Sequence, residues 1–234
     1  MKNSFIVAIN VATRQAKSKD TKEKHKELKM QLNTPSKDDM KRIDEIWESK
    51  REVRHYTLET NALDLLFNQY KSNTNLTEII LKIGCLDNFY STNATKNVKI
   101  PDIAEKIISI KDFDLRLQKW DTNLVRELAI FSKGDKEIKL YSFATKYCAL
   151  HNCMVYKRDN YAIFDSIVCK KLKEFNKQYK FAEFSDDDFE LENYPKYVEI
   201  LDKFRKRFAL NCTFRELDLY LWKMGKLEKL ENGK

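Results

Sequence analysis

Chain reversals need residues that tolerate unusual backbone angles, and this sequence has few: four glycines and three prolines in 234 residues. Folds made of many short strands need such a residue at most turns. The scarcity therefore predicts an all-α chain. With 42% apolar and 12% aromatic residues, a chain of this length can bury a sizeable core as one domain or two small ones. No run of 18 apolar residues occurs, so no membrane-spanning helix is expected. The apolar patch near the start, FIVAI, is too brief for a secretory leader. Five cysteines, an odd number without paired spacing, point to reduced thiols and a cytoplasmic setting.

The net charge is +8, and the first 30 residues hold eight Lys/Arg against three Asp/Glu. Residues 1–33 read as a basic arm or polar helix. A basic balance suits a polyanionic partner, although a lysine-rich soluble protein would show it too. Beyond the arm, residues 34–234 divide into about ten helical patterns. Thr34-Pro35-Ser36 opens one that carries Met40, Ile43, Ile46 and Trp47 on one face. Two more cover roughly 59–70 and 76–84, and FYSTNATKN is a polar loop before the helix at Pro101. DFDLRLQKWDTNLVRELAIF runs into the turn SKGDKEIK, and YSFATKYCALHN follows. The last three patterns are IFDSIVCKKLKEFNKQY, YPKYVEILDKFRKRF and TFRELDLYLWKMGKLEKL. Strand signal is confined to CMVY and YAIF.

One stretch stands out. From Leu140 to Tyr156 the single full charge is Lys146, in a chain where 34% of residues are charged. Phe143, Lys146, Tyr147 and Leu150 recur at helical spacing, and the opposite side, Ala144, Cys148 and Ala149, is also uncharged. The ammonium thus sits among rings and aliphatics. Burial lowers a lysine pKa, and a free amine is what a lysine nucleophile requires. The plain alternative is a snorkelling lysine with its head in water. A second lone charge lies 19 residues on: Asp165 in NYAIFDSIVC, at a helix start. There an aspartate is a favoured N-cap, a role that holds its carboxylate rigidly.

This pairing resembles the helix-hairpin-helix DNA glycosylases, and within them the 8-oxoguanine DNA glycosylases. Their nucleophilic lysine ends the pattern leucine, proline, glycine, apolar residue, glycine, threonine, lysine. The matching stretch is Leu140-Tyr141-Ser142-Phe143-Ala144-Thr145-Lys146. Tyr141 stands for the proline, and Ser142 and Ala144 stand for the glycines. The family's catalytic aspartate follows at the same separation, as in Ala162-Ile163-Phe164-Asp165. The resemblance covers about 60–225. It implies a helical bundle of two subdomains flanking a cleft, with hairpin and catalytic region at about 122–170. It implies a bifunctional glycosylase/AP lyase that extrudes an oxidised purine, 8-oxoguanine, from double-stranded DNA.

In that reading Lys146 attacks C1′ and forms a Schiff base, and Asp165 stabilises the cationic sugar. Ser142 and Ala144 approach a DNA phosphate, helped by Lys133, Lys136 and Lys139 in the preceding turn. Asn93, or Thr92, enters the space left by the base, although such an Asn is more often a turn residue. Phe143, Cys148, Asp218 and Trp222 line the base pocket, with Phe214 one turn before Asp218. The implied protein is a monomer associated with the nucleoid. A non-catalytic helical DNA-binding protein, for instance of a defence or restriction system, is the other reading. In that case Lys146 snorkels or contacts phosphate.

Other constellations carry less. Cys148, His151 and Cys153 lack a fourth ligand and match no zinc spacing. Cys212 alone lies beyond residue 170, too few for a four-cysteine iron–sulfur cluster. Asp186-Asp187-Asp188 with Glu190 and Glu192 reads as a solvated acidic loop. No phosphate-binding glycine motif is present, so neither metal nor nucleotide cofactor is expected.

Overall fold

A computed structural model describes residues 33–50 and 54–231. The basic arm expected over 1–33 lies outside the described residues except for Asn33. The chain divides into two compact units, Thr34–Lys226 on one hand and the residues before 34 and after 226 on the other. All that follows concerns Thr34–Lys226. As the turn-residue scarcity predicts, the described chain is mostly helical, with 11 helices and one small sheet of two strands.

Polar caps start several helices. The Ser36 hydroxyl accepts the Asp39 N–H at 3.0 Å and opens α1 (Lys37–Glu48), so Pro35 precedes the cap instead of lying inside the helix. Ile43 and Trp47 form its buried stripe, and α2 (Arg54–Gln69) buries Leu63 and Phe67. Asn75 caps α3 (Leu76–Tyr90) by accepting from Thr77 and Glu78. This helix runs past Gly84, where an added Cβ would meet Ile100 at an ordinary 3.9 Å. The polar loop FYSTNATKN contains a short α4 (Ala94–Asn97), and Pro101 sits in the first turn of α5 (Ile100–Ser109).

Trp120, with φ 61°, breaks the next pattern into α6 (Phe113–Lys119) and α7 (Asn123–Ala129). The turn SKGDKEIK is a true β-hairpin: β1 (Ile130–Lys133) pairs antiparallel with β2 (Lys136–Lys139), Ile130 opposite Lys139 and Lys133 opposite Lys136. Gly134 makes the reversal at φ 59°, a backbone region where a Cβ is penalised. The strand signals in CMVY and YAIF fail. CMVY ends α8 (Tyr141–Tyr156). YAIF is in no strand, because tyrosine side chains of α10 (Tyr194–Arg207) take the place of a sheet neighbour. Tyr194 Oη gives to the Ala162 carbonyl at 2.9 Å and accepts its N–H, and Tyr197 Oη gives to Ile163 at 2.8 Å.

The remaining helices are α9 (Ser166–Tyr179) and α11 (Phe214–Glu231), and the acidic loop holds two 3₁₀ turns, Asp187–Phe189 and Leu191–Asn193. Helix α8 lies at the centre, packed by α2, α3, α6 and α7. That placement explains its missing charges, since an exposed face never occurs. A second core of rings joins α9 to α10, with Phe175 of α9 5.2 Å from Phe204 of α10 and Phe181 and Phe208 at 5.1 and 4.8 Å from Phe204. No helix among the described residues is long and apolar enough to cross a membrane.

Candidate functional site

The central helix carries Lys146 inward, 4% exposed. Its amine donates to the Ser142 hydroxyl one turn back at 2.6 Å and lies 3.5 Å from the Asp165 carboxylate. Asp165 caps α9, accepting the Ile167 N–H at 2.8 Å, so its position is fixed by the helix it starts. Two contacts tie the residue before it to α8. The Thr145 hydroxyl accepts the Phe164 N–H at 3.0 Å, and the Tyr141 ring stacks on the Phe164 ring at 4.1 Å. Thus the residues flanking Lys146 on its helix set the place of Asp165.

Helix α11 closes the other side. Gly225 lets it approach α9, since a Cβ there would fall 2.2 Å from an Ile167 methyl. Asp218, 6% exposed, binds Arg215 at 3.0 Å. The Arg215 guanidinium also donates to Tyr56 Oη at 3.1 Å and to Tyr90 Oη. Trp222 stacks on Tyr56 at 5.2 Å, and Trp47 meets Trp222 edge-on at 5.3 Å. The result is a wall of rings around two buried opposite charges.

The charges act on one another across these helices. Burial lowers the Lys146 pKa, the carboxylates of Asp165 and Asp218 pull it back, and Arg215 lowers it further. Burial raises the Asp218 carboxyl to about 6, against the pull of Arg215 and Lys146. Burial also raises the Tyr56 hydroxyl well above its ordinary range. The arrangement provides a desolvated amine, two carboxylates and flat apolar surface in one place.

Several expected site residues lie elsewhere. Ala144 is fully buried and its N–H bonds the Leu140 carbonyl at 2.9 Å, so it presents nothing to a DNA phosphate. Ser142 is half-buried and engaged with Lys146. Lys139 pairs with Glu192 at 2.6 Å, while Lys133 and Lys136 face each other, exposed, at the hairpin tip. Phe143 and Cys148 are 1% and 0% exposed on the packed faces of α8, and Phe143 contacts the Tyr147 ring, so they belong to the core. Phe214 lies under the Arg205 guanidinium at 3.9 Å and lines a 510 Å³ cavity with Trp120, Asp159, Val198 and Asp202, away from Asp218 and Trp222.

Asn93 is exposed and left-handed at φ 57°, its amide on the Ser91 carbonyl. The polar loop around it is ordered by Asp87, which accepts from Ala94 N–H at 2.9 Å and from the Thr92 and Thr95 hydroxyls. Among the described residues no three His, Cys, Asp or Glu side chains gather to hold a metal ion.

Arg215, Tyr56 and Tyr90 are the site members that sequence reading missed. The i,i+3 spacing of Arg215 and Asp218 on one helix was a usable signal. Nothing local marks the tyrosines, which come from α2 and the end of α3.

Residues 37–159 match the family described as HI_0787_N: N-terminal domain, more than half of the chain. The chain belongs to this family. A Haemophilus influenzae relative, named "Uncharacterized protein", is 44% identical over 148 residues, 63% of this chain and 66% of its own length. The chain thus spans just under two thirds of that relative. No solved structure matches. The HI_0787_N match takes in Ser142, Thr145 and Lys146 and ends before Asp165, Arg215 and Asp218.

Proposed function

We propose that the chain is a DNA base-excision glycosylase with AP lyase activity, acting on oxidised purine, with 8-oxoguanine the expected lesion. The observation that carries the reading is the convergence of Lys146 and Asp165 at 3.5 Å, two lone charges 19 residues apart brought together in a buried site. The surrounding chemistry supports it. A desolvated amine is the form that attacks C1′ of a nucleotide, and a carboxylate fixed beside it stabilises the cationic sugar as the base departs. Loss of the base leaves an imine, which permits β-elimination of the 3′ phosphate.

The flat rings of Trp222 and Tyr56 with the acceptor of Asp218 suit an extruded purine. In this reading α7, the β-hairpin and α8 stand where the family has its hairpin. The exposed lysines 133 and 136 take over the phosphate contact, and two helical subdomains flank the cleft. The partner is damaged double-stranded DNA, bound by a monomer in the cytoplasm at the nucleoid.

One observation favours the non-catalytic alternative: the Lys146 side chain is 5% exposed and that of Asp165 20%, which leaves the amine little surface for a sugar to reach. Borohydride reduction decides between them. Wild type on 8-oxoguanine duplex should give a covalent species stable to denaturation. Asp165→Asn should cut its yield far more than it weakens DNA binding. A wild type that binds the duplex and is never trapped is a binding protein.

A further inference from the structure

Ser142 is the nearest partner of the Lys146 amine. The two lie one turn apart on one face of α8, at i and i+4. A long side chain on a helix leans toward the N-terminus, so the Lys146 stem runs back over position 142. There its amine donates to the Ser142 hydroxyl at 2.6 Å. The lysine pattern that this stretch resembles has glycine at that place, which offers an amine no side-chain acceptor.

An ammonium carries three hydrogens. One is held by Ser142, and a second faces the Asp165 carboxylate at 3.5 Å. Among the described residues the amine is in hydrogen-bond or ion-pair contact with no third group. The third hydrogen is therefore the one most easily lost, and the lone pair appears where it was. A carboxylate only accepts, so the direction toward Asp165 remains an N–H after that proton has gone. A hydroxyl both donates and accepts. Ser142 is half-buried, so it can turn its own hydrogen to water and keep its lone pairs for the amine. The two acceptors belong to one frame. Thr145 Oγ1 gives to the Ser142 carbonyl at 3.1 Å and accepts the Phe164 N–H at 3.0 Å, next to Asp165. The flexible four-carbon stem thus ends in a fixed fork.

Resting on the glycosylase reading, we infer that Ser142 is a positioning residue: its hydroxyl takes one amine hydrogen of Lys146, Asp165 takes the other, and the lone pair is thereby aimed at C1′. The ammonium first gives its third proton to water. The lone pair forms the bond to C1′ as the bond from C1′ to the base nitrogen breaks. That electron pair leaves with the base, which takes a proton from water. The nitrogen ends as a substituted ammonium whose two hydrogens are still held by Ser142 and Asp165.

The test uses full-length wild type, Ser142→Ala and Ser142→Thr on duplex carrying a preformed abasic site, trapped with borohydride in single turnover across a range of pH. At its alkaline plateau Ser142→Ala should be trapped roughly 10- to 100-fold more slowly than wild type. Duplex binding should stay within about threefold. The acid limb of the profile should move toward acid by about one pH unit, because a hydroxyl that accepts from an ammonium stabilises the charged form. The other charges acting on the amine are Asp165 at the start of α9 and Asp218 and Arg215 of α11. They are the same in every variant, so the shift reads the hydroxyl. Ser142→Thr keeps that hydroxyl and should recover most of the rate and the wild-type limb; a role in folding alone gives neither the shift nor the recovery. A plateau within about threefold of wild type, or a lowered plateau with an unmoved limb, overturns the role and leaves the glycosylase reading standing. If Ser142→Ala does not fold, Ser142→Gly is judged by the same two criteria. A wild type that is neither trapped nor releases 8-oxoguanine overturns the glycosylase reading and this role with it.

Discussion

Lys82 and Lys146 are buried alike, 0% and 4% exposed, yet their surroundings differ in kind. The Lys82 ammonium is surrounded by fixed acceptors: the Tyr70 carbonyl at 3.1 Å, the Ser72 carbonyl at 2.9 Å and Asn73 Oδ1 at 2.7 Å. Asn73 in turn accepts from Tyr147 Oη at 2.6 Å, donates to Asp114, and lies 3.4 Å from the His151 ring. This network ties the end of α2 to α3, α6 and α8. Lys146 holds a hydroxyl at 2.6 Å and a carboxylate at 3.5 Å.

Burial lowers both pKa values, that of Lys82 to about 8 even with Asp114 and Glu78 opposing. Burial therefore does not distinguish a reactive lysine from a structural one. The number of rigid acceptors does: a saturated ammonium is a strut, whereas a lightly held one is free to give up its proton.

Exchanging the roles is the sharpest way to break this comparison. Lys146→Gln should lower base release and trapping by roughly 10³-fold or more, about 4 kcal/mol of barrier, with duplex binding changed only a fewfold. Lys82→Met should leave covalent trapping in place and cost about 3 kcal/mol of stability in urea unfolding, because it strands buried acceptors. Trapping lost in Lys82→Met and kept in Lys146→Gln would reverse the assignment.

Gly225→Ala should be smaller, about 2 kcal/mol, since its Cβ must push Ile167 aside. It should also slow turnover, because Asp218 and Trp222 ride on the same helix. Stability lost with turnover unchanged would show that the crossing of α9 and α11 does not position the site.

The last effect appears only under acid: a pH dependence confined to the Lys82 side, negligible near neutral pH. His151 is fully buried, and burial with the Lys82 charge lowers its pKa to about 3. Its folded value lies below the unfolded one, near 6.5, so the unfolded chain binds the extra proton between them. This contribution to stability is full above about pH 6.5 and falls as the pH drops toward 3, by about 2 kcal/mol at pH 5. His151→Gln should flatten that part of the urea-stability profile relative to wild type. An unchanged slope would mean the ring is not held neutral by its burial.

The helices were legible where the pattern is local. The glycine and proline count gave the class, Thr34-Pro35-Ser36 and the cap at Asp165 marked two helix starts, and the single charge between Leu140 and Tyr156 marked the central helix. Strands were misread because YAIF has β-type residues but finds its partners in tyrosine hydroxyls, whereas the lysine-rich SKGDKEIK pairs with itself. Helix ends were misjudged at Trp120, a left-handed stop at φ 61° in a residue type that gives no such signal. The chain has few glycines and places Ser91, Asn93, Asp112, Lys157, Lys180 and Ala209 in the same region. Each costs roughly 1–2 kcal/mol that tertiary packing offsets.

By itself the sequence determined a helical chain with a desolvated lysine and a capping aspartate, because solvent exclusion and capping act over one or two helical turns. Tertiary structure alone decided that Asp165 comes to 3.5 Å from Lys146 and that Arg215, Tyr56 and Tyr90 join Asp218. It also decided that Ala144 and Cys148 face the core. Those outcomes depend on helix crossings such as the one Gly225 allows, and a crossing is set by two surfaces far apart in the chain.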